Sequence, residues 1–242
     1  VKYMTMISIL VFLLFNNCFS DSPKESPEMV QKNQSMKKLK KLVKKPIQLP
    51  VFNLRNNETA FEQKISALKL KTLLIVNPDG DYGSGLLIDT EGYVFCDGAI
   101  VQNFRYSAGI IFGEGQMNLI SLETVKISAD KKLAILKIDS QTLKVKLQSE
   151  NTLKNSLNLL ENNSNQSNKL IFIYPGADGT IQDQMVFIEG QVVSSCPVKS
   201  SFLKKISAVC YDLSWQPAGV YLPDEKKIVS VSEILKFYGG GL

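Results

Sequence analysis

The sequence predicts an all-β fold of short strands closed into barrels or stacked as a sandwich, with a short helix near the C-terminal end. Three observations predict it. Apolar residues alternate or run together in short stretches punctuated by turn residues, at 68–76, 86–88, 93–95, 108–112, 118–127 and 133–138, and again at 170–174, 186–194, 206–213, 220–222 and 228–231. Helical spacing is confined to 36–45, 153–160 and 232–238. With 44% apolar and 21% charged residues, the 242-residue chain has a globular composition, long enough for one large β domain or two small ones.

The chain begins with a different kind of segment. Residues 6–15, MISILVFLLF, are uninterruptedly apolar and follow Lys2. Ten residues suit the core of an export signal and fall short of the roughly 20 needed to span a bilayer. Residues 1–20 therefore read as a signal peptide, cut before Asp21 or left as an uncleaved anchor, while Leu14-Phe15-Asn16-Asn17-Cys18 resembles a relaxed lipobox that would make Cys18 a lipid-attachment site. The expected location is the bacterial periplasm or the membrane surface, as an anchored lipoprotein.

Residues 21–56 read as a Lys-rich tether, because Ser, Pro, Asn, Gln and Lys cannot bury enough apolar surface to offset chain entropy. The expectation is that this segment is peripheral to the folded unit. Nine basic residues stand against three acids between 21 and 55, leaving 18 basic against 20 acidic residues from 56 onward. The remainder has no field to attract nucleic acid. Met36, Leu39 and Val43 share a helical face, with Lys37, Lys38, Lys40, Lys41, Lys44 and Lys45 elsewhere. That pattern suits a basic patch on anionic lipid, and equally a solvated charge run.

The most specific stretch is 83–101, GSGLLIDTEGYVFCDGAIV. Two apolar runs flank Asp89-Thr90-Glu91-Gly92 and form a hairpin, and Gly83 and Gly85 mark a bend or a close approach to another strand. The stretch resembles the first barrel of trypsin-like serine proteases of the HtrA/Deg type, where the segment runs GSGFIIDPDGYILTNNHVV. Residues 128–139, SADKKLAILKID, resemble that family's DPxTDLAVLKID. The resemblance implies a trypsin-like double six-stranded β-barrel: first barrel 57–145, connection 146–168, second barrel and closing helix 169–242, with no PDZ domain.

The same alignment empties the catalytic slots. Ala99 stands for the histidine and Lys132 for the aspartate; near SWQPAGVYL, where the family has GNSGGPLV, Pro217 stands for the serine. The chain holds no histidine, so neither a Ser-His-Asp nor a Cys-His site can be built. The resemblance thus implies a pseudoprotease with no cofactor and no metal, acting by binding another protein or peptide. The alternatives are a hydrolase using Ser214 or Cys96 without a histidine base, or an unrelated all-β envelope lipoprotein. The resemblance also places Cys196 and Cys210 on neighbouring strands, where a disulfide would form if their Cα atoms lie within about 7 Å.

Overall fold

The structure is a computed structural model that describes residues 25–42, 60–113, 116–139, 169–176, 181–187, 196–197 and 206–240. Cys18, Lys44, Lys45 and the 146–168 connection lie outside the described residues.

Six antiparallel strands close the first barrel in the order β1-β2-β3-β6-β5-β4: β1 (Leu73–Val76), β2 (Tyr82–Leu87), β3 (Tyr93–Asp97), β4 (Tyr106–Gly113), β5 (Gln116–Ile127) and β6 (Leu133–Ile138). Alternation assigns each side chain to a side. Leu73, Ile75, Leu87, Val94, Cys96, Leu122, Ala134 and Leu136 fill the barrel. Their neighbours Leu86, Phe95 and Ile135 point out of it, into a core shared with the second half. The expected hairpin stands as read: Leu87 pairs with Val94, and Gly92 takes φ 91° in a turn where Asp89 Oδ1 accepts from Glu91 N and Tyr93 N at 3.1 and 3.2 Å.

The second sheet runs β8-β7-β10-β11-β12-β9, from β7 (Lys169–Pro175), β8 (Ile181–Phe187), β9 (Cys196–Pro197), β10 (Ala208–Tyr211), β11 (Pro217–Leu222) and β12 (Lys227–Ser230). Leu170, Phe172, Ala208, Cys210, Tyr221 and Ile228 form its inner cluster. The alternate positions Ile171, Ile173, Val209, Tyr211, Val220, Leu222 and Val229 face the first barrel. Gly83 and Ser84 lie at this junction. A side chain at Gly83 would collide with Ile100 and Ser207, while Ser84 donates to Ile173 O at 3.3 Å and its N–H reaches Ser207 Oγ at 3.1 Å. The close approach read from Gly83 is the contact between the two halves.

Four helices complete the described chain. Helix α1 (Pro27–Leu42) lies on the outside of the first barrel, where Leu39 is fully buried with Leu74, Val76, Ala108 and Ile110. This corrects the tether reading over 27–42: Leu39, with Met36 packed beside it, sufficed, because the outer faces of β1 and β4 supplied the other half of the contact. Helix α2 (Ala60–Lys71) takes the first part of the strand expected at 68–76, and β1 begins only at Leu73. Its Ile65 and Leu68 enter the shared core at helical spacing, which an alternating stretch such as LKLK also permits. Helix α3 (Gly98–Val101) is a single turn after β3. Helix α4 (Val231–Gly239) is the expected closing helix; Ser230 and Glu233 make a capping box, and Tyr238 donates to Asp89 Oδ2 at 2.7 Å, fastening the helix to the first hairpin.

The cysteine expectation is also corrected. Cys196 on β9 pairs with Ile228 of β12, whereas β10, carrying Cys210, lies between β7 and β11. Two strands separate them, about 14 Å at the usual strand spacing, beyond disulfide reach. The buried Cys210 thiol lies 3.8 Å from Ala208 O instead.

Candidate functional site

Ala99 and Lys132 do come together. Asp97 ends β3 with φ −61° and ψ 122° and caps α3, accepting from Ala99 N at 2.9 Å. Gly98 N donates to Lys132 O at 2.8 Å, which ties the turn of α3 to the turn before β6. Ala99 is exposed and presents only a methyl group.

The Lys132 side chain leaves this backbone contact and crosses to the second half of the molecule. Its ammonium pairs with Glu225 at 2.5 Å, in the turn between β11 and β12, and more loosely with Asp130 at 4.0 Å. Glu225 holds Lys132 above the usual lysine range, and the other Glu225 oxygen is 3.9 Å from Lys227. Asp130, two residues from the aspartate slot, is committed to its own turn: Ser128 donates to it at 2.6 Å and draws its carboxyl below the usual range.

Asp97 is the most perturbed carboxyl here. Only 5% exposed, it is pushed up to about 6 by burial first, against the help of Ala99 N–H, with Asp224 and Glu225 adding repulsion. Sequence reasoning missed Asp97, Asp224 and Glu225. Asp97 could have been found as an N-cap residue one position before Gly98; the other two read only as turn residues.

The remaining candidates are on the other half. Asp212 N donates to Gln216 O at 2.9 Å, and Asp212 Oδ1 accepts from Gln216 N at 3.0 Å, closing a turn between β10 and β11. Ser214 is exposed on it, and Trp215 takes φ 68°, a backbone conformation uncommon for bulky residues. Burial raises the Asp212 carboxyl, opposed by the N–H groups of Gln216 and Ser214. Helix α2 packs on this turn: Phe61 meets the Trp215 ring edge-on at 5.2 Å, and Lys64 Nζ lies 5.2 Å from its centroid. Pro217 is the first residue of β11, opposite Tyr211, and not a loop residue. That corrects its placement in the serine slot, because a paired strand position cannot be the tip of a nucleophile turn.

Cys96 is excluded as a nucleophile. It is fully buried among the barrel's interior side chains, and burial pushes its thiol well above the ordinary range, with Asp97 adding to the shift. Among the described residues, no group of three or more Cys, Asp or Glu could hold a metal ion, and no helix is long and apolar enough to cross a membrane.

The fold is similar to several solved protease structures. The MamO protease domain from Magnetospirillum magneticum, in its apo form, matches at 12% identity and TM-score 0.50, over 69% of this chain and 95% of that one. Deg5 matches at 11% identity and TM-score 0.56, over 74% and 94% respectively. A serine endoprotease from Yersinia pestis matches at 11% identity and TM-score 0.55, over 76% and 68%. No protein-family model and no curated protein matches the sequence. The fold is that of the trypsin-like double-barrel proteases, and not a different all-β fold.

Proposed function

We propose that this chain is a catalytically inactive relative of the HtrA-type proteases, exported to the cell envelope, that works by binding another protein or peptide. The observation that carries the reading is the absence of any histidine in the sequence. Serine attack on an amide requires a base within hydrogen-bond reach of the hydroxyl, a group that orients the base, and donors aimed at the oxyanion. Ala99 offers no base, and Lys132 in the aspartate slot carries a positive charge already matched by Glu225. A site lacking its triad retains only about 10³- to 10⁴-fold catalysis over water, from binding and oxyanion donors.

The serine position takes a different form once Pro217 is a strand residue. In GNSGGPLV the serine precedes the proline by three, and Ser214 precedes Pro217 by three here. The hydroxyl is therefore kept while base and orienter are gone. Ser214 supports the second reading, a hydrolase of unusual mechanism. Against it stand Trp215 and Gln216 in place of the two glycines, and the neighbouring Asp212 carboxylate, whose hydrogen bonds go to the turn's own backbone. Export rests on the apolar run 6–15, with Cys18 as the lipidation point.

The test is fluorophosphonate labelling and casein turnover of the purified protein, wild type against Ser214→Ala. Neither turnover nor labelling is expected. Labelling of the wild type that Ser214→Ala abolishes would make this chain an enzyme.

A further inference from the structure

Helix α1 is attached to the barrel by one face only, and everything on the opposite face is basic or neutral. On the docked side Leu39 and Ser35 are fully buried. Gln31 Oε1 accepts from Arg105 N and Tyr106 N, both at 3.2 Å. Lys32 pairs with Glu28 at 3.2 Å and Asp139 at 3.3 Å, and lies 4.6 Å from the centre of the Tyr106 ring. Lys38, at the rim, donates to Asp79 O at 3.1 Å.

At about 100° per residue, Lys37, Lys40 and Lys41 fall within an arc of roughly 100° centred opposite Ser35 and Leu39. All three are exposed, and no carboxylate shares their face. They project directly away from the barrel, and the rest of the fold holds them there.

We propose that this lysine face is a docking surface for an anionic lipid bilayer, engaged by charge alone. Leu39 and Met36 are spent against β1 and β4, and the 52% exposed Met29 is a single side chain at the edge of the lysine arc, so the helix has no apolar face to insert as a free amphipathic helix does. Lys37, Lys40 and Lys41 lie within about 6 Å along the helix axis and face one way, which suits a plane of headgroups. The flank continues into a fold with a slight acidic excess, 20 acids to 18 bases after residue 55, which disfavours a nucleic-acid track. The apolar run 6–15 ends eleven residues before Pro27, at most about 40 Å of extended chain, so an anchored run would keep the strip within reach of the membrane surface. The inference rests on the envelope reading only for which membrane is met, and it is independent of whether the cleft is catalytic.

Each lysine near an anionic surface strengthens binding about fivefold, so the strip is worth about 100-fold. The experiment is co-sedimentation of the full chain with vesicles of phosphatidylcholine alone or with about 30% phosphatidylglycerol. A preference of about 100-fold for the anionic vesicles is expected, abolished by high salt and by the triple variant K37E/K40E/K41E. The variant should melt with the wild type, since these side chains touch nothing the fold needs, and an unchanged melting curve separates lost binding from lost structure. Equal affinity for neutral vesicles, binding that survives high salt, an undiminished triple variant, or equally tight binding of duplex DNA would each overturn the proposal.

Discussion

In the first barrel every strand finds two partners, short turns join neighbours such as β2 and β3, and the interior cluster is aliphatic apart from Cys96. Among the described residues of the second half, the inner cluster carries two large aromatic rings, Phe172 and Tyr221, with centroids 5.6 Å apart. A register shift between Cys210 and Tyr211 interrupts its β10–β11 ladder just before the turn that bears Ser214. Helices fasten both halves: α1 covers the first barrel's flank, α4, starting from β12, reaches back to Asp89 and to Lys126, whose ammonium donates to Phe237 O at 2.7 Å, and α2 packs on the Trp215 turn of the second. The two halves therefore hold Ala99, Lys132 and Ser214 differently. The first fixes Ala99 and Lys132 through backbone bonds within one rigid barrel; the second places Ser214 on a turn whose bonds are to itself.

Breaking that face should have the largest effect. Phe95 is fully buried in the core shared by the two halves, and Phe95→Ala should cost about 4 kcal/mol in urea unfolding and lower one cooperative transition. Two separated transitions would mean the halves are independent units. Next is Leu39→Ala, expected to cost about 3 kcal/mol if α1 belongs to the first barrel's fold. A loss below about 0.5 kcal/mol would restore the tether reading.

The third prediction concerns pH. The Asp97 carboxyl is raised from 3.8 to about 6 in the fold, so the native state favours its protonated form. Its contribution is full below about pH 4, falls as pH rises through about 6, and leaves the protein less stable by up to about 3 kcal/mol above that. Asp97→Asn keeps an N-cap acceptor for Ala99 N and removes the charge. It should raise the melting temperature at pH 8 and leave it unchanged near pH 4; an equal effect at both would remove the buried charge as the cause.

The smallest effect is expected at the bridge between the halves. Lys132 is 44% exposed, and water screens its pair with Glu225. Lys132→Ala and Glu225→Ala should each shift the melting midpoint by about 2 °C or less, and the double variant by no more than either alone. Additive losses would show that the two residues act separately and that the crossing contact is incidental.

Local pattern alone was enough for most of the strands, the hairpin at 89–92, the closing helix and the lack of any imidazole. Alternation is a local property that survives in any environment with one buried face, and an absent histidine is absent in every fold. What needed the tertiary structure was each decision made by a distant partner. Residues 27–42 look too polar to fold until the outer faces of β1 and β4 are there to receive Leu39. LKLK reads as a strand by alternation, and the core shared by the two halves chose helix, taking Leu68 together with Ile65 one turn before it. The strand order put β11 and β12 between Cys210 and Cys196. Pairing with Tyr211 made Pro217 a strand residue and left Ser214 on the turn. Backbone pairing across the chain carries no trace in local periodicity, so adjacency and register were settled only by the closed packing of the two halves.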